Sequence, residues 1–370
     1  MNTMKNMLSL LAALAAASLL AAEAHAQINI HIAGAVSLKD VTYNTLKTNL
    51  FGPANITAQN LDNAAKPTSA NNYTITGTMP NLFGSQTVTV YVTWNGSGAA
   101  IQSLTGNGTC NFFASTSQGN TNLVAASADI GFAVVYQSDY AYPTPVLTDS
   151  TYGCTPTIFA RSVNAPASIT NLTSQHLRYI EANGSAPLSF FTGNASDATT
   201  NINWIMRDIS AAHRIISAKE AGFTGSAIGY NWSYTSNAWA VDSVGQMTWP
   251  IIDKMLTNNT VGACITFLPP TEAGNIPAAN ILSFNGFYPF RGSFNTTSND
   301  YTPTINGQYT CWGFEHIMTN PNNPDPNIAV FANAFKGWLT TNLLAGSPYS
   351  IPLSKLAVTR SSTGGSVTPR

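Results

Sequence analysis

The chain has 370 residues, of which only 15 are Lys or Arg and 16 are Asp or Glu, for a formal net charge of −1. Charged residues make up 8% of the chain, yet hydrophobic residues reach 44% and aromatics 10%, which excludes a disordered polymer and leaves a surface covered by Asn, Thr, Ser and Gly. The net charge of −1 gives no broad basic field, so a nucleic-acid partner is not expected, since backbone binding needs many Lys and Arg.

Residues 1–26 read as a secretory signal: Lys5 precedes an apolar run from Met7 to Ala22, and Ala24-His25-Ala26 has the form of a cleavage site. Cut before Gln27, the protein is expected in the periplasm or secreted, and no later segment has the length and purity to span a bilayer. No lipid-accepting cysteine stands near the cut, which points to a soluble exported protein. Cys110, Cys154, Cys264 and Cys311 lack metal-site spacing; after export they suggest two disulfides with three pairings open, Cys154 with Cys264 being favoured if both fall in one lobe.

In the mature chain, Ile28 to Ser37 predicts a strand and a glycine turn, with Ser37 capping a short helix over 38–50. Residues 55–72 read as loop or weak helix. Strands are predicted at Tyr73–Pro80, at Thr87–Trp94 and at Ala128–Val135. The second of these runs into Asn95-Gly96-Ser97-Gly98, again strand, turn and helix start. A second block opens at Thr155–Arg161 and continues with a helix over 173–183, capped by Thr173 or Asn171 and stopped by Gly184. Residues 203–210 are strand-like, 211–221 and 246–256 helical, and Ala263–Leu268 a strand closed by two prolines. The last block holds the apolar segments 279–286 and 307–318. Its helix over 328–344 is the best amphipathic pattern in the chain, with Val330, Phe331, Phe335, Trp338 and Leu339 as its apolar side. The tail 360–370 reads as loose. Strands alternating with helices give an α/β fold.

Three strand ends carry small, hydroxyl-bearing turns: Ala33 to Ser37, Asn95 to Gly98, and Arg207 to Ala211. In open α/β sheets such ends border a crevice where helix N-termini present free N–H groups to an anion. Arg207 would supply charge, and Ser37, Ser97 and Ser210 hydroxyls. Gly98 would allow close approach, and Asp208 would hold Arg207 or accept a proton from the ligand. Asn95 and His213 are accessory candidates, while Trp94 and Trp204 read as core or cleft wall. Catalytic signatures are missing: Ser97 lacks the G-x-S-x-G frame, Glu315-His316 is not H-E-x-x-H, and no phosphate loop is present.

Taken in order, these segments resemble the periplasmic phosphate-binding proteins of ABC transporters. The resemblance rests on Ile30–Ser37, Val90–Ala100, Ala128–Val135, Ile169–Ile180, Arg207–Arg214, Gly225–Tyr230 and Asn306–His316. It implies a two-lobe fold with a hinge, each lobe a mixed sheet flanked by helices: 27–150 plus 270–370 as lobe 1 and 151–269 as lobe 2. It further implies ligand contacts from Ser37, Ser97, Arg207 and Ser210, no enzymatic activity, no cofactor, a monomer, and delivery of a small anionic ligand to an ABC transporter permease. Two departures stand out. Ser210 is followed by Ala211-Ala212 where the family has glycine and threonine. The family's cleft aspartate falls near Ala133-Val134, where there is no acid. The implied ligand is therefore a phosphate-like oxyanion or a small organic anion. A secreted phosphatase-like hydrolase using the same cleft, or a non-catalytic surface or structural protein that kept the fold, are the alternatives.

Overall fold

The computed structural model describes residues 27–207, 210–225, 232–235, 238–241, 249–258 and 262–370. The expected signal, Asp208 and Ala227–Tyr230 lie outside them. Two mixed sheets organise the chain. Numbering only their strands, β1 (Ile28–Gly34), β2 (Ile56–Leu61), β3 (Asn72–Thr78), β4 (Thr87–Thr93), β5 (Ile130–Ala133) and β6 (Thr148–Pro156) lie in the first sheet. The chain then crosses over. β7 (Ile158–Arg161), β8 (Asn171–Leu172), β9 (Ser185–Pro187), β10 (Asn201–Ile205), β11 (Cys264–Leu268) and β12 (Ile281–Phe284) form the second. It returns for β13 (Trp312–Thr319) and β14 (Ile351–Pro352), giving an eight-stranded sheet in the order β14-β6-β13-β5-β1-β4-β3-β2 and a six-stranded one in the order β8-β12-β7-β11-β10-β9. Each sheet with its helices is one lobe.

Alternation along the strands decides which helix covers which face. Ile30, Ile32, Phe132 and Ile317 enter one core, with Phe331 and Phe335; Ala33, Ala133 and Met318, one residue on, enter another with Ala100, Ile101 and Leu104. The helices of seven or more residues are α1 (Lys39–Thr45), α2 (Ser97–Leu104), α3 (Ser174–Asn183), α4 (Ala212–Glu220), α5 (Trp249–Thr257) and α6 (Pro326–Ala345). α2 covers one face of the first sheet and α6 the other; α3, α4 and α5 pack on the second lobe. Asp325 caps α6 by accepting the Asn327 N–H at 2.9 Å. Among the described residues no helix is long and apolar enough to cross a membrane.

Several expectations change. Residues 56–61 form an edge strand, β2, because pairing with β3 outweighs their polar composition. Ser37 caps nothing: Ala35 occupies the cap position of the turn Val36–Leu38. The strand before Arg207 stops at Ile205. The buried stripe of α6 is Ile328, Phe331, Phe335, Leu339 and Leu343, so Val330 and Trp338, lying off that stripe, are 48% and 40% exposed. All four cysteines are free and buried. Cys154 lies in β6 and Cys264 in β11, in different sheets, so the favoured pairing has no geometric basis. The tail is not loose: Thr368–Pro369 pairs with Val358–Thr359, and Arg360 stacks on Trp312 at 4.1 Å while pairing with Glu220 at 3.0 Å.

Glu315, in mid-β13, is fully buried opposite Gly153, whose missing side chain makes room for it: a Cβ there would lie 2.3 Å from Oε2. Its Oε1 accepts the Ser350 hydroxyl at 2.5 Å, and burial pushes its pKa up to about 8. The native state keeps this proton where an unfolded carboxyl, near 4.5, has released it. The associated stability is full below about pH 4.5 and is lost as pH rises through about 8. Glu315→Gln, which cannot ionise, is expected to gain stability relative to the parent between pH 5 and pH 8. Denaturant midpoints across that range measure it, and an unchanging difference would show that Glu315 is not held protonated.

Candidate functional site

The first lobe presents three strand ends along one edge. β1 pairs in parallel with β4, Ala33 opposite Thr93, and with β5 on its other side. Short bonds weld the turns that follow: Gly96 N–H to the Gly34 carbonyl at 2.8 Å, Ala35 N–H to the Phe132 carbonyl at 2.9 Å, and Val134 N–H to Ser97 Oγ at 3.3 Å. Ser97 Oγ accepts that bond and keeps its own hydrogen to donate. Glycine is required twice here. A Cβ on Gly34 would sit 2.6 Å from the Phe132 Cβ, and Gly96 has φ +104°.

The second lobe brings Arg207, just past β10, and the start of α4. The Arg207 guanidinium lies 4.6 Å over the ring of Trp249, the first residue of α5. His213, in the first turn of α4, is only 5% exposed, and its Nδ1 is 2.8 Å from Thr157 Oγ1. Thr157 is the single residue between β6 and β7, and its N–H donates to the Cys311 carbonyl at 2.9 Å, where the chain returns to the first lobe. Burial, reinforced by the Arg207 cation, pushes the His213 pKa down to about 3, so the ring is neutral near pH 7. The lobes touch at Tyr140, whose hydroxyl donates to the Ser210 carbonyl at 2.9 Å, and at Gly98, where a Cβ would lie 3.1 Å from the Ser210 Cβ. The N-termini of α2 and α4 thus meet across the interface.

Two adjoining cavities lie between the lobes. The smaller, about 40 Å³, is lined by Ser37, Ser97, Arg207 and His213, with Trp249 as a wall. The larger, about 720 Å³, is bordered by Asn95, Gly98, Arg207 and Ser210. The predicted residues are therefore brought together but divided, with Arg207 facing both spaces and Asp208 outside the described residues. Ser37 Oγ and His213 Nε2 are both buried and have no hydrogen-bond partner among the described residues. No described residue lining the smaller cavity is acidic; where the resemblance implies an aspartate, Val134 gives its N–H to Ser97. Among the described residues no cluster of three metal-ligating side chains occurs.

Sequence reasoning missed Trp249, Thr157 and Tyr140. Each comes to the site from a distant segment, and none carries a local signal. His213 had one, its place in a rare charge cluster.

No family model matches the chain, and no curated protein matches its sequence. Among solved structures, it is similar to an ABC-type phosphate transport receptor from Vibrio cholerae: 15% identity, 86% of this chain and 97% of that one, TM-score 0.46. It is similar to a putative phosphate ABC transporter substrate-binding protein with bound phosphate from Clostridium perfringens: 12% identity, 88% and 99% covered, TM-score 0.49. It is also similar to the regulatory domain of MetR, a LysR family regulator from N. meningitidis: 8% identity, 89% and 99% covered, TM-score 0.40. All three TM-scores fall below 0.5, so the function is read from the site's own geometry.

Because no described group bonds the buried Ser37 hydroxyl, Ser37→Ala is expected to leave ligand-free stability unchanged or raise it by up to about 1 kcal/mol. The same change should weaken anion binding by about 1 kcal/mol. Thermal melts with and without phosphate separate the two effects; a large loss of stability without ligand would assign Ser37 to the core instead.

Proposed function

We propose that the protein is an exported, non-enzymatic solute-binding protein that closes its two lobes on a small phosphate-like oxyanion and delivers it to an ABC-type permease. The observation that supports this most directly is the convergence of Arg207 with two buried, unbonded polar atoms, Ser37 Oγ and His213 Nε2, on one interlobe cavity. Neither atom has a partner among the described residues, so an oxyanion held in this cavity could bond both. The arrangement suits a tetrahedral or planar oxyanion. A guanidinium supplies a fork of donors, hydroxyls supply single donors, and the N-termini of α2 and α4 add backbone N–H groups that no helical carbonyl takes.

His213 gives this cleft its own proton logic. A neutral imidazole donates or accepts at Nε2 according to its tautomer, which the hydroxyl of Thr157 can support either way. It can therefore face either an O⁻ or an O–H of the guest, a task the resemblance gives to an aspartate that is missing here. It also ties the guest to the crossover, since its other nitrogen bonds the residue about which the lobes would hinge.

Isothermal titration with phosphate and sulfate tests the reading. At least one is expected to bind one-to-one. Arg207→Ala should weaken that binding tenfold or more, as loss of a charged hydrogen bond costs about 1.5–3 kcal/mol. Unchanged affinity in Arg207→Ala, or no binding of either ion, would overturn it.

A further inference from the structure

α6 is apolar on two opposite sides, and only one of them is covered. Its buried stripe of Ile328, Phe331, Phe335, Leu339 and Leu343 packs on the sheet. On the other side Val330, Ala334, Gly337, Thr341 and Leu344 fall within about 40° of a single line, at about 100° per residue. Leu344 is 50% exposed, Val330, Gly337 and Thr341 are exposed with it, and Trp338 flanks the line. Steps of four, three, four and three residues along that line are the heptad spacing of a seam between two helices. The single charge of α6, Lys336, lines a groove beside Thr148 and Ser150, and Asn342 donates to Thr45 Oγ1 of α1 at 2.7 Å, so neither interrupts the seam. A helix that is apolar all round is ordinarily covered all round. We infer that the outer seam of α6 is a self-association surface, on which a second copy of the chain lays its own α6 antiparallel, the two crossing at Gly337.

Gly337 selects the occupant. A glycine in mid-helix is unfavourable beside almost any other residue. Nothing inside the chain calls for this one: its φ is not positive, and a Cβ there would meet no atom within 4 Å among the described residues. A missing side chain is useful only outside, where it lets another backbone approach closely. The rest of the seam is arranged evenly about it. Val330 and Leu344 stand seven residues to either side, so in an antiparallel pair Val330 of each copy meets Leu344 of the other, Ala334 lies beside Thr341, and the two glycines meet on the two-fold axis. Thr341 Oγ1 already donates to the Gly337 carbonyl at 3.0 Å, so burying it strands no donor.

Electrostatics agree with a second copy. The seam carries no charge to oppose its own image, and antiparallel packing sets the N-terminus of each helix dipole beside the C-terminus of the other. The 20 residues of α6 make a rod about 30 Å long and about 10 Å wide, which offers roughly 300 Å² on each copy. Stable complexes bury about 1,200–2,000 Å² in total, so this pairing is transient and appears at high concentration. No cleft residue lies on the seam, and the inference stands apart from the anion-binding reading.

Sedimentation equilibrium of the full mature chain from about 1 µM to about 1 mM tests it, and the mass is expected to climb from that of one chain toward that of two across this range. Gly337→Glu sets two carboxylates face to face on the axis while supplying a better helix former. It should weaken association at least about tenfold and leave the melting temperature unchanged or higher. Cross-linking reads the orientation: under oxidation, Val330→Cys chains should join Leu344→Cys chains, and neither should join its own kind. A single-chain mass at every concentration, a dimer indifferent to Gly337→Glu, or cysteine variants that join only like to like would overturn the inference.

Discussion

Parallel pairing of β1 with β4 and β5 is the constraint on which the cleft depends. It aligns three carboxyl ends on one edge, and the bonds from Gly96 to Gly34, from Ala35 to Phe132 and from Val134 to Ser97 fix the turns that follow. Parallel strands need long crossovers, so the helices between them are obliged to start at that same edge. The side chains of Ser37 and Ser97 inherit their places from backbone geometry, and only the small residues Gly34 and Gly96 allow the turns to pack so closely.

The polar contacts that match the second lobe to this edge are heterogeneous. A guanidinium lies on an indole, an imidazole is bonded to the crossover, and a tyrosine hydroxyl meets a backbone carbonyl. These polar ties sit beside apolar packing that also runs from one lobe to the other, Phe132 and Ile317 sharing a cluster with Phe159 and Ile216. Charged residues are sparse, and Arg207, Arg214 and Lys219 stand together with Asp139 and Glu181 around one cavity.

Much of the fold was legible because periodicity survives in sequence. β1, β4, α3 with its Thr173 cap, and α6 all announce themselves by alternation or by a turn-length repeat. β2 did not, since an edge strand of polar residues is specified by its neighbour. The site was legible only in part. Small turns and a rare arginine mark Ser37, Ser97 and Arg207, whereas Trp249, Thr157 and Tyr140 acquire meaning only from long-range packing. The disulfide expectation failed because cysteine count and compartment say nothing about which sheet each thiol occupies.

The C-terminal segment spans both lobes. Arg360 is stacked on Trp312 of the first sheet and paired with Glu220 at the end of α4. Thr363 Oγ1 donates to Asp139, which also pairs with Lys219 of α4, and Gly364 packs on the backbone of that lysine. These ties form without a guest and clasp the two lobes in the arrangement described. On the proposed reading, such a molecule would spend little of its guest's binding energy on closure and would have to unfasten the Arg360–Glu220 pair before a guest entered or left. Its selectivity would then be expressed in slow exchange and long residence, and the final eleven residues, remote from the anion itself, would set the tempo.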